Sequence, residues 1–493
     1  MTDTAYHALT ERQRRIAHLG SASGILSWDN SVMMPKGAAA WRGETMATLA
    51  GLMHEMGTAP EVADQLDQAE NEDLTPDQAR NLALLRRSHT RATALPGQLV
   101  EALSKASSAS EIAWREARAT DDFSLLEPHL TEVLDLNREQ AQRLGERLDL
   151  SPYDALLDGF DPGRRSTDVD AVFDTLVAEL PAMIDTVLGR QSAPPEPKGG
   201  YAIEKQEDIG RAVLKALAYD FDHGRLDVST HPFTGGAPGD VRITTRYAPD
   251  DFTQSLMGTI HECGHALYEQ GLPEDWRGQP LGGSAGLAIH ETQSLLYEMQ
   301  LGRSDAVQAW LRPQLVAAFG EEPALSEDGL RTTYRHVART PIRVDADEMT
   351  YPLHVVLRYR LERAMLAGDL AVKDLPEAWN AGMTELVGYT PTSNAEGCLQ
   401  DIHWPMGAFG YFPTYSLGAM GAAQIFQAAL DADAAIPDGI ERGDFAPLLA
   451  WLRTNIHEQG SRHEPDALME RATGAPLGAD TFLAHLRGRY VEG

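Results

Sequence analysis

Residues 260–271 read IHECGHALYEQG. Two histidines four positions apart, with a glutamate directly after the first, have the types and spacing of a zinc-dependent hydrolase. On a helix, His261 and His265 lie one turn apart and project from one face, so both imidazoles can reach a single ion. Glu262 sits about 100° further round, close enough to take a proton from water on that ion without ligating the metal. Zinc lowers the pKa of such a water to about 7, and the glutamate can then hand the proton to a leaving amine. Cys263 points about 200° away from His261 and reads as helix packing.

A catalytic zinc needs a third protein ligand and an open fourth position. The nearby acids are Glu269, Glu274, Asp275, Glu291 and Glu298. Glu269 is one turn further along the same helix, and three collinear ligands do not close a tetrahedron. Glu274 and Asp275 fall in a loop. Glu291 and Glu298 share a face of the next helix, SAGLAIHETQSLLYEMQLG, and a second helix crossing the first brings in one of them. Spacing alone leaves that choice open.

The elements that must position these groups are mostly helices. PDDFTQSLMGTIHECGHALYEQG reads as one helix, capped by Asp250 or Asp251 and ended by Gly271. The first two hundred residues are helical in texture. Met46, Leu49, Leu52 and Met53 share a face, and Thr75 precedes a Pro76 that opens a helix. QSAPPEPKGG, residues 191–200, is the clearest loop. RLDVSTHPFTGGAPGDVRITTRY carries β-branched runs around a turn and predicts a small antiparallel sheet just before the HECGH helix. The fold class expected is mainly α, a large helical body with one small antiparallel β element beside the zinc helix. We read residues 1–493 as a single catalytic unit, with an N-terminal helical half at 1–200 and the zinc-binding half at 201–493.

Composition narrows the function classes. The chain has 73 acidic against 42 basic side chains, a formal net charge of −31. Such a surface repels phosphate backbones, so no nucleic-acid partner is expected. No segment approaches eighteen uninterrupted apolar residues, so no membrane span is expected. Only two cysteines occur, Cys263 and Cys398, and the N-terminal stretch lacks the pattern of a secretory signal. The expectation is a cytoplasmic protein.

HECGH followed by HETQS resembles the thermostable carboxypeptidase Taq family of metallocarboxypeptidases. DVRIT at 240–244, IRVDAD at 342–347, GCLQDIHW at 397–404 and GYFPTYSLG at 410–418 fit the same family, as does SWDNSVMMPKGAAAWRGETMATLAGLMHE near the N-terminus. The resemblance covers nearly the whole chain; Thr292 stands where the family often has serine. It implies metal ligands at His261, His265 and Glu291, with Glu262 as general base. It also implies a helical body cleft by a deep substrate groove, a homodimer, and release of single residues from peptide C-termini with broad specificity and proline disfavoured. Zinc is the metal implied, with cobalt or manganese acceptable to the same donors.

An exopeptidase of this kind must hold a free carboxylate, and a guanidinium fork matches one best. The resemblance makes Arg343 the leading residue for this; the alternative is a structural pair with Asp345 or Asp347. His403 and Tyr415 are suitable donors to a developing oxyanion, with Tyr411 competing for the tyrosine role and Asp401 suited to orienting a histidine. Asp240, Arg242 and Thr244 face one side of a strand. Either that strand is an edge that receives the peptide backbone, or Asp240 and Arg242 pin the sheet to the zinc helix. An internally cutting oligopeptidase is the competing enzyme, and a silent peptide- or metal-binding protein the competing non-enzyme.

Overall fold

The apolar periodicity of the sequence resolves into twenty α-helices and one three-stranded sheet among the described residues, 4–492, of this computed structural model. The mainly helical class expected from the sequence is the one found. Helix Pro76–Ala94 begins where expected, with Thr75 Oγ1 accepting from the Gln78 amide at 3.3 Å. The HECGH helix spans Thr253–Glu269, and the Asp251 carboxylate accepts from the Thr253 amide and hydroxyl at its start. The Ala39–Gly57 helix departs from expectation, because it buries no residue fully and leaves Leu52 exposed. It lies against the long first helix, Ala5–Val32.

Two compact units form, each threaded by three separate stretches. The first comprises Met1–Ala92, Pro194–Tyr334 and Ala422–Pro476; the second comprises Thr93–Ala193, Arg335–Gly421 and Leu477–Gly493. One crossing, Ala193 to Pro194, lies in the QSAPPEPKGG loop. The crossings at Ala92 and Gly421 fall inside helices Pro76–Ala94 and Pro413–Ala432, where no loop composition marks them.

The first unit holds an apolar cluster of Tyr6, Leu9, Val62, Leu66, Ala69, Leu82 and Leu85, and it carries the sheet. Strands β1 (Leu226–Val228), β2 (Phe233–Ala237) and β3 (Asp240–Thr245) are ordered β1-β3-β2. β2 and β3 form the expected antiparallel hairpin, turning through Pro238 and a Gly239 at φ +85°. β1, however, runs parallel to β3, so the sheet is mixed rather than antiparallel throughout. Turn chemistry identifies a hairpin, but not the edge that a preceding three-residue strand will join. Val241, Ile243 and Thr245 are buried, and Thr245 Oγ1 donates to the Ser255 carbonyl of the HECGH helix. The sheet is thus fastened beside that helix.

In the second unit, helix Tyr351–Ala367 is buried on nearly every side, its Arg358 and Glu362 included. Residues 387–412 form neither helix nor strand. A segment of this length without regular structure is uncommon and usually functional. It is held by side chains: Trp114 Nε1 donates to the Leu399 carbonyl, and Gln400 Nε2 donates to the Pro341 and Glu396 carbonyls.

Candidate active site

In the first unit, helix Leu287–Leu295 crosses the HECGH helix at Gly264. A Cβ on that glycine would stand 2.4 Å from the Gln293 carbonyl oxygen and 2.7 Å from Ser294 Cα. The glycine of HECGH is therefore what lets the two backbones approach. The approach sets Glu291 Oε1 4.0 Å from His261 Nε2 and Glu291 Oε2 3.5 Å from His265 Nε2. One donor atom from each of the three residues lies within 4.8 Å of the other two. Two imidazole nitrogens and a carboxylate oxygen, convergent and largely buried, are a donor set that zinc accepts. The residues present fit the implied metal.

Glu298 takes a different place. The chain continues past Leu295 as a π-helix, Leu296–Gly302. There Glu298 Oε2 accepts from His261 Nδ1 at 2.9 Å, while its Oε1 takes Arg303 at 2.6 Å. The two acids left open by sequence spacing are thereby separated: Glu291 meets the Nε2 side of the histidines, and Glu298 holds the opposite nitrogen of one of them.

Electrostatics follow from this crowding. Burial by itself disfavours charge on His261, but the Glu298 hydrogen bond and the carboxylates of Glu291, Glu262 and Glu298 outweigh it and push its pKa up to about 9. Burial, with His290 and His261 beside it, holds His265 well below the ordinary histidine range. Burial also raises the carboxyls of Glu262 and Glu291. Glu298 is pulled down to about 2, because Arg303 and His261 overcome its burial. Glu262 is not one of the three convergent donors. Thr234 on β2 sets its hydroxyl 2.8 Å from Glu262 Oε2 and 2.9 Å from the Glu262 carbonyl. Sequence reasoning missed Thr234, which lies 28 positions away with no motif around it.

The second unit gathers the residues of IRVDAD, GCLQDIHW and GYFPTYSLG. Arg343 is buried, and its Nη2 donates to Asp401 Oδ1 at 2.9 Å. The partner is neither Asp345 nor Asp347. Asp347 instead accepts from the amides of Met349 and Thr350, which brings the chain into helix Tyr351–Ala367. Arg358, unmentioned by sequence reasoning, donates to Asp401 Oδ2 at 2.6 Å and to Gln400 Oε1 at 2.6 Å. Burial would raise the Asp401 carboxyl, yet the two guanidinium charges hold it well below the usual carboxylate range. Burial lowers Arg358 to about 10.

His403 Nε2 lies 3.1 Å from the Tyr415 hydroxyl, and the Arg343 guanidinium stacks 4.6 Å from the Tyr415 ring centroid. Burial, aided by Arg343 and Arg358 against Asp401, lowers His403 to about 4, so it is a neutral imidazole at neutral pH. Tyr411 packs its ring against His403 and Tyr415 at 5.2 Å from each. Of the two tyrosines, Tyr415 is the one hydrogen-bonded to the histidine.

Asp240 and Arg242 pair with each other at 2.5 Å, and Arg242 stacks 4.5 Å over Trp28 of the first helix. β3 lies between β1 and β2: β2 pairs along Asp240–Thr244 and β1 along Ile243–Thr245, so the edge left without a strand is the β1 side of Asp240–Arg242. Its alternation of polar and apolar residues was legible, but its central position was not.

Residues 8–490 match the family described as carboxypeptidase Taq (M32) metallopeptidase. The chain is 39% identical over 503 aligned residues to thermostable carboxypeptidase 1 of Thermus thermophilus, covering 99% of both. Among solved structures it is similar to metallocarboxypeptidase 1 of Trypanosoma cruzi, with TM-score 0.96 and 37% identity over 99% of both chains. It is likewise similar to an M32 carboxypeptidase from Deinococcus radiodurans, with TM-score 0.95 and 39% identity over 99% of both.

Proposed function

The chain belongs to the carboxypeptidase Taq (M32) metallopeptidase family and is a metallocarboxypeptidase, and we propose from this premise that it trims single residues from peptide C-termini with His261, His265 and Glu291 as zinc ligands. The observation that carries the reading is the convergence of those three donors with the buried Glu262 beside them. Cobalt or manganese suits the same donors. When bound, the metal supplies Lewis acidity that activates water and polarises the scissile carbonyl. Glu262, held by Thr234, takes the proton of the attacking water and returns it to the leaving amine.

Arg343 is assigned the terminal carboxylate of the peptide, a role that suits a forked donor kept charged by Asp401. His403 and Tyr415 are assigned hydrogen bonds to the developing oxyanion; both are donors when neutral, and they already bond to each other. Tyr411, packed against both rings, is assigned a substrate contact beside that pair. For Asp240 and Arg242 a substrate contact remains one reading; their mutual pair and the stack of Arg242 on Trp28 favour instead a role pinning the sheet to the first helix, not to the HECGH helix. Broad specificity with proline disfavoured, a homodimer, and a single catalytic unit that includes both compact units complete the proposal. No described helix is long and apolar enough to cross a membrane, and both cysteines are buried and free, which fits the proposed cytoplasmic location.

The test uses metal-loaded protein and one short peptide with a free or an amidated C-terminus, products being followed by mass spectrometry. Stepwise loss of C-terminal residues from the free peptide alone is expected, and it vanishes with Glu262→Gln. Internal fragments from both peptides would replace this reading with an oligopeptidase.

A further inference from the structure

Two ring nitrogens that face each other at hydrogen-bond distance need one proton between them, neither two nor none. His265 Nδ1 and His290 Nδ1 stand 2.6 Å apart, and the other nitrogen of His290, Nε2, lies 2.8 Å from Glu269 Oε1. A carboxylate only accepts, so His290 Nε2 carries a proton. A neutral His290 then has a bare Nδ1, which accepts from His265 Nδ1–H. This leaves the lone pair of His265 Nε2 free on the side where Glu291 Oε2 stands at 3.5 Å. One arrangement of protons satisfies the whole chain with His265 able to ligate.

We propose that His290 and Glu269 are positioning residues of the metal centre, a His–His–carboxylate chain that holds His265 in its Nε2-ligating tautomer and orientation. The placement is economical in sequence. Glu269 follows His265 by one helical turn and so shares its face. His290 immediately precedes Glu291, so the crossing helix delivers one ligand and the support of another. The His290 ring is steadied by Tyr268, 5.2 Å away at 65°, whose own hydroxyl accepts from the Ala285 amide at 3.2 Å.

The two histidine ligands are therefore supported differently. His261 donates straight to a carboxylate, Glu298, which Arg303 partly neutralises. His265 donates to an imidazole that passes the demand on to Glu269. Outer partners of this kind fix ring orientation and raise ligand basicity, and losing one costs about 10- to 100-fold in metal affinity or activity.

The inference rests on His265 being a ligand, and the experiment separates the two. Zinc affinity is measured by competition with a chelating indicator for the full chain, His290→Ala, Glu269→Gln and His265→Ala. The histidine ring tautomers are read from nitrogen-15 spectra of the metal-free wild type and variants. The expected result is a 10- to 100-fold weaker zinc constant in His290→Ala. Glu269→Gln should show a smaller loss, since its amide oxygen still accepts from His290. In the wild type, the proton of His265 sits on Nδ1, and this preference is lost in His290→Ala.

If His265→Ala binds zinc as the wild type does, the ligand assignment itself fails. If His265→Ala loses zinc while both His290→Ala and Glu269→Gln stay within about twofold of the wild type, the supporting role is overturned. A wild-type His265 protonated on Nε2 overturns it as well. Should His290→Ala fail to fold, Glu269→Gln and the wild-type spectrum still decide.

Discussion

At the residue scale, the site is a set of side chains whose neighbours restrict them to one job. Glu262 carries a carboxyl raised by burial and a hydroxyl from Thr234 that orients it. Glu262→Gln is expected to lower kcat roughly 10²- to 10⁴-fold, the range of general acid–base catalysis, with bound metal retained. Thr234→Val leaves the base but removes its support; a hydrogen bond to a charged group is worth about 1.5–3 kcal/mol, so kcat should fall at least about tenfold with KM nearly unchanged. A rise in KM alone would place Thr234 in substrate binding instead. Arg343→Lys keeps the charge and loses the fork. It should lower kcat/KM on a free-acid peptide by roughly 10²-fold, about two charged hydrogen bonds reduced, with a rise in KM carrying most of the loss. A loss confined to kcat with KM unchanged would remove Arg343 from carboxylate recognition. The types and spacing of these residues were legible in the sequence. Their partners were not: Thr234, Arg303 and Arg358 lie in no quoted motif, and His290, although it opens HETQS, shows no contact with His265 until the chain is folded.

At the element scale, Gly264 decides how closely the two ligand helices cross. Gly264→Ala forces a methyl into the Gln293 backbone, and overpacking of this sort costs about 1–3 kcal/mol. Melting temperature and zinc affinity should fall together. Preserved affinity with only lowered stability would mean that the helix carrying Glu291 adjusts without moving its carboxylate. A second element carries a titration. Glu362 on the buried helix Tyr351–Ala367 accepts from Tyr153 at 2.5 Å and from Trp404 Nε1 at 3.1 Å, yet burial pushes its carboxyl up to about 7. The folded pKa lies above the unfolded value of about 4.3, so the folded chain binds this proton more tightly, and the stability it contributes is present at low pH and lost as pH rises through about 7. The loss from this group is roughly 3 kcal/mol between pH 4.5 and 7.5. Urea denaturation across that range should show this slope in the wild type and a flatter profile in Glu362→Gln. Parallel profiles would show that Glu362 does not titrate there.

At the scale of the whole molecule, the helical class and the family were readable from one chain, because amphipathic periodicity and seven motif stretches are properties of order along the sequence. The division into units was not. Each unit is assembled from three stretches, and helices pass through two of the crossings, so no composition shift announces them. The proposed homodimer predicts a sedimentation-derived mass twice that of the chain at micromolar concentration. A monomer at that concentration would set the dimer proposal aside.

The sequence by itself determined the chemistry on offer: which residues donate, that two histidines share a helical face, and that a glutamate lies beside them. These are local facts, set by a 3.6-residue period. The tertiary structure decided what spacing left open between Glu291 and Glu298, where the resemblance had implied Glu291, and it alone decided that Asp401 rather than Asp345 or Asp347 holds Arg343 and that β3 is a central strand. Each of those choices depends on how closely two segments distant in the chain approach, and that distance is set by a missing Cβ, a π-helical turn or a neighbouring strand.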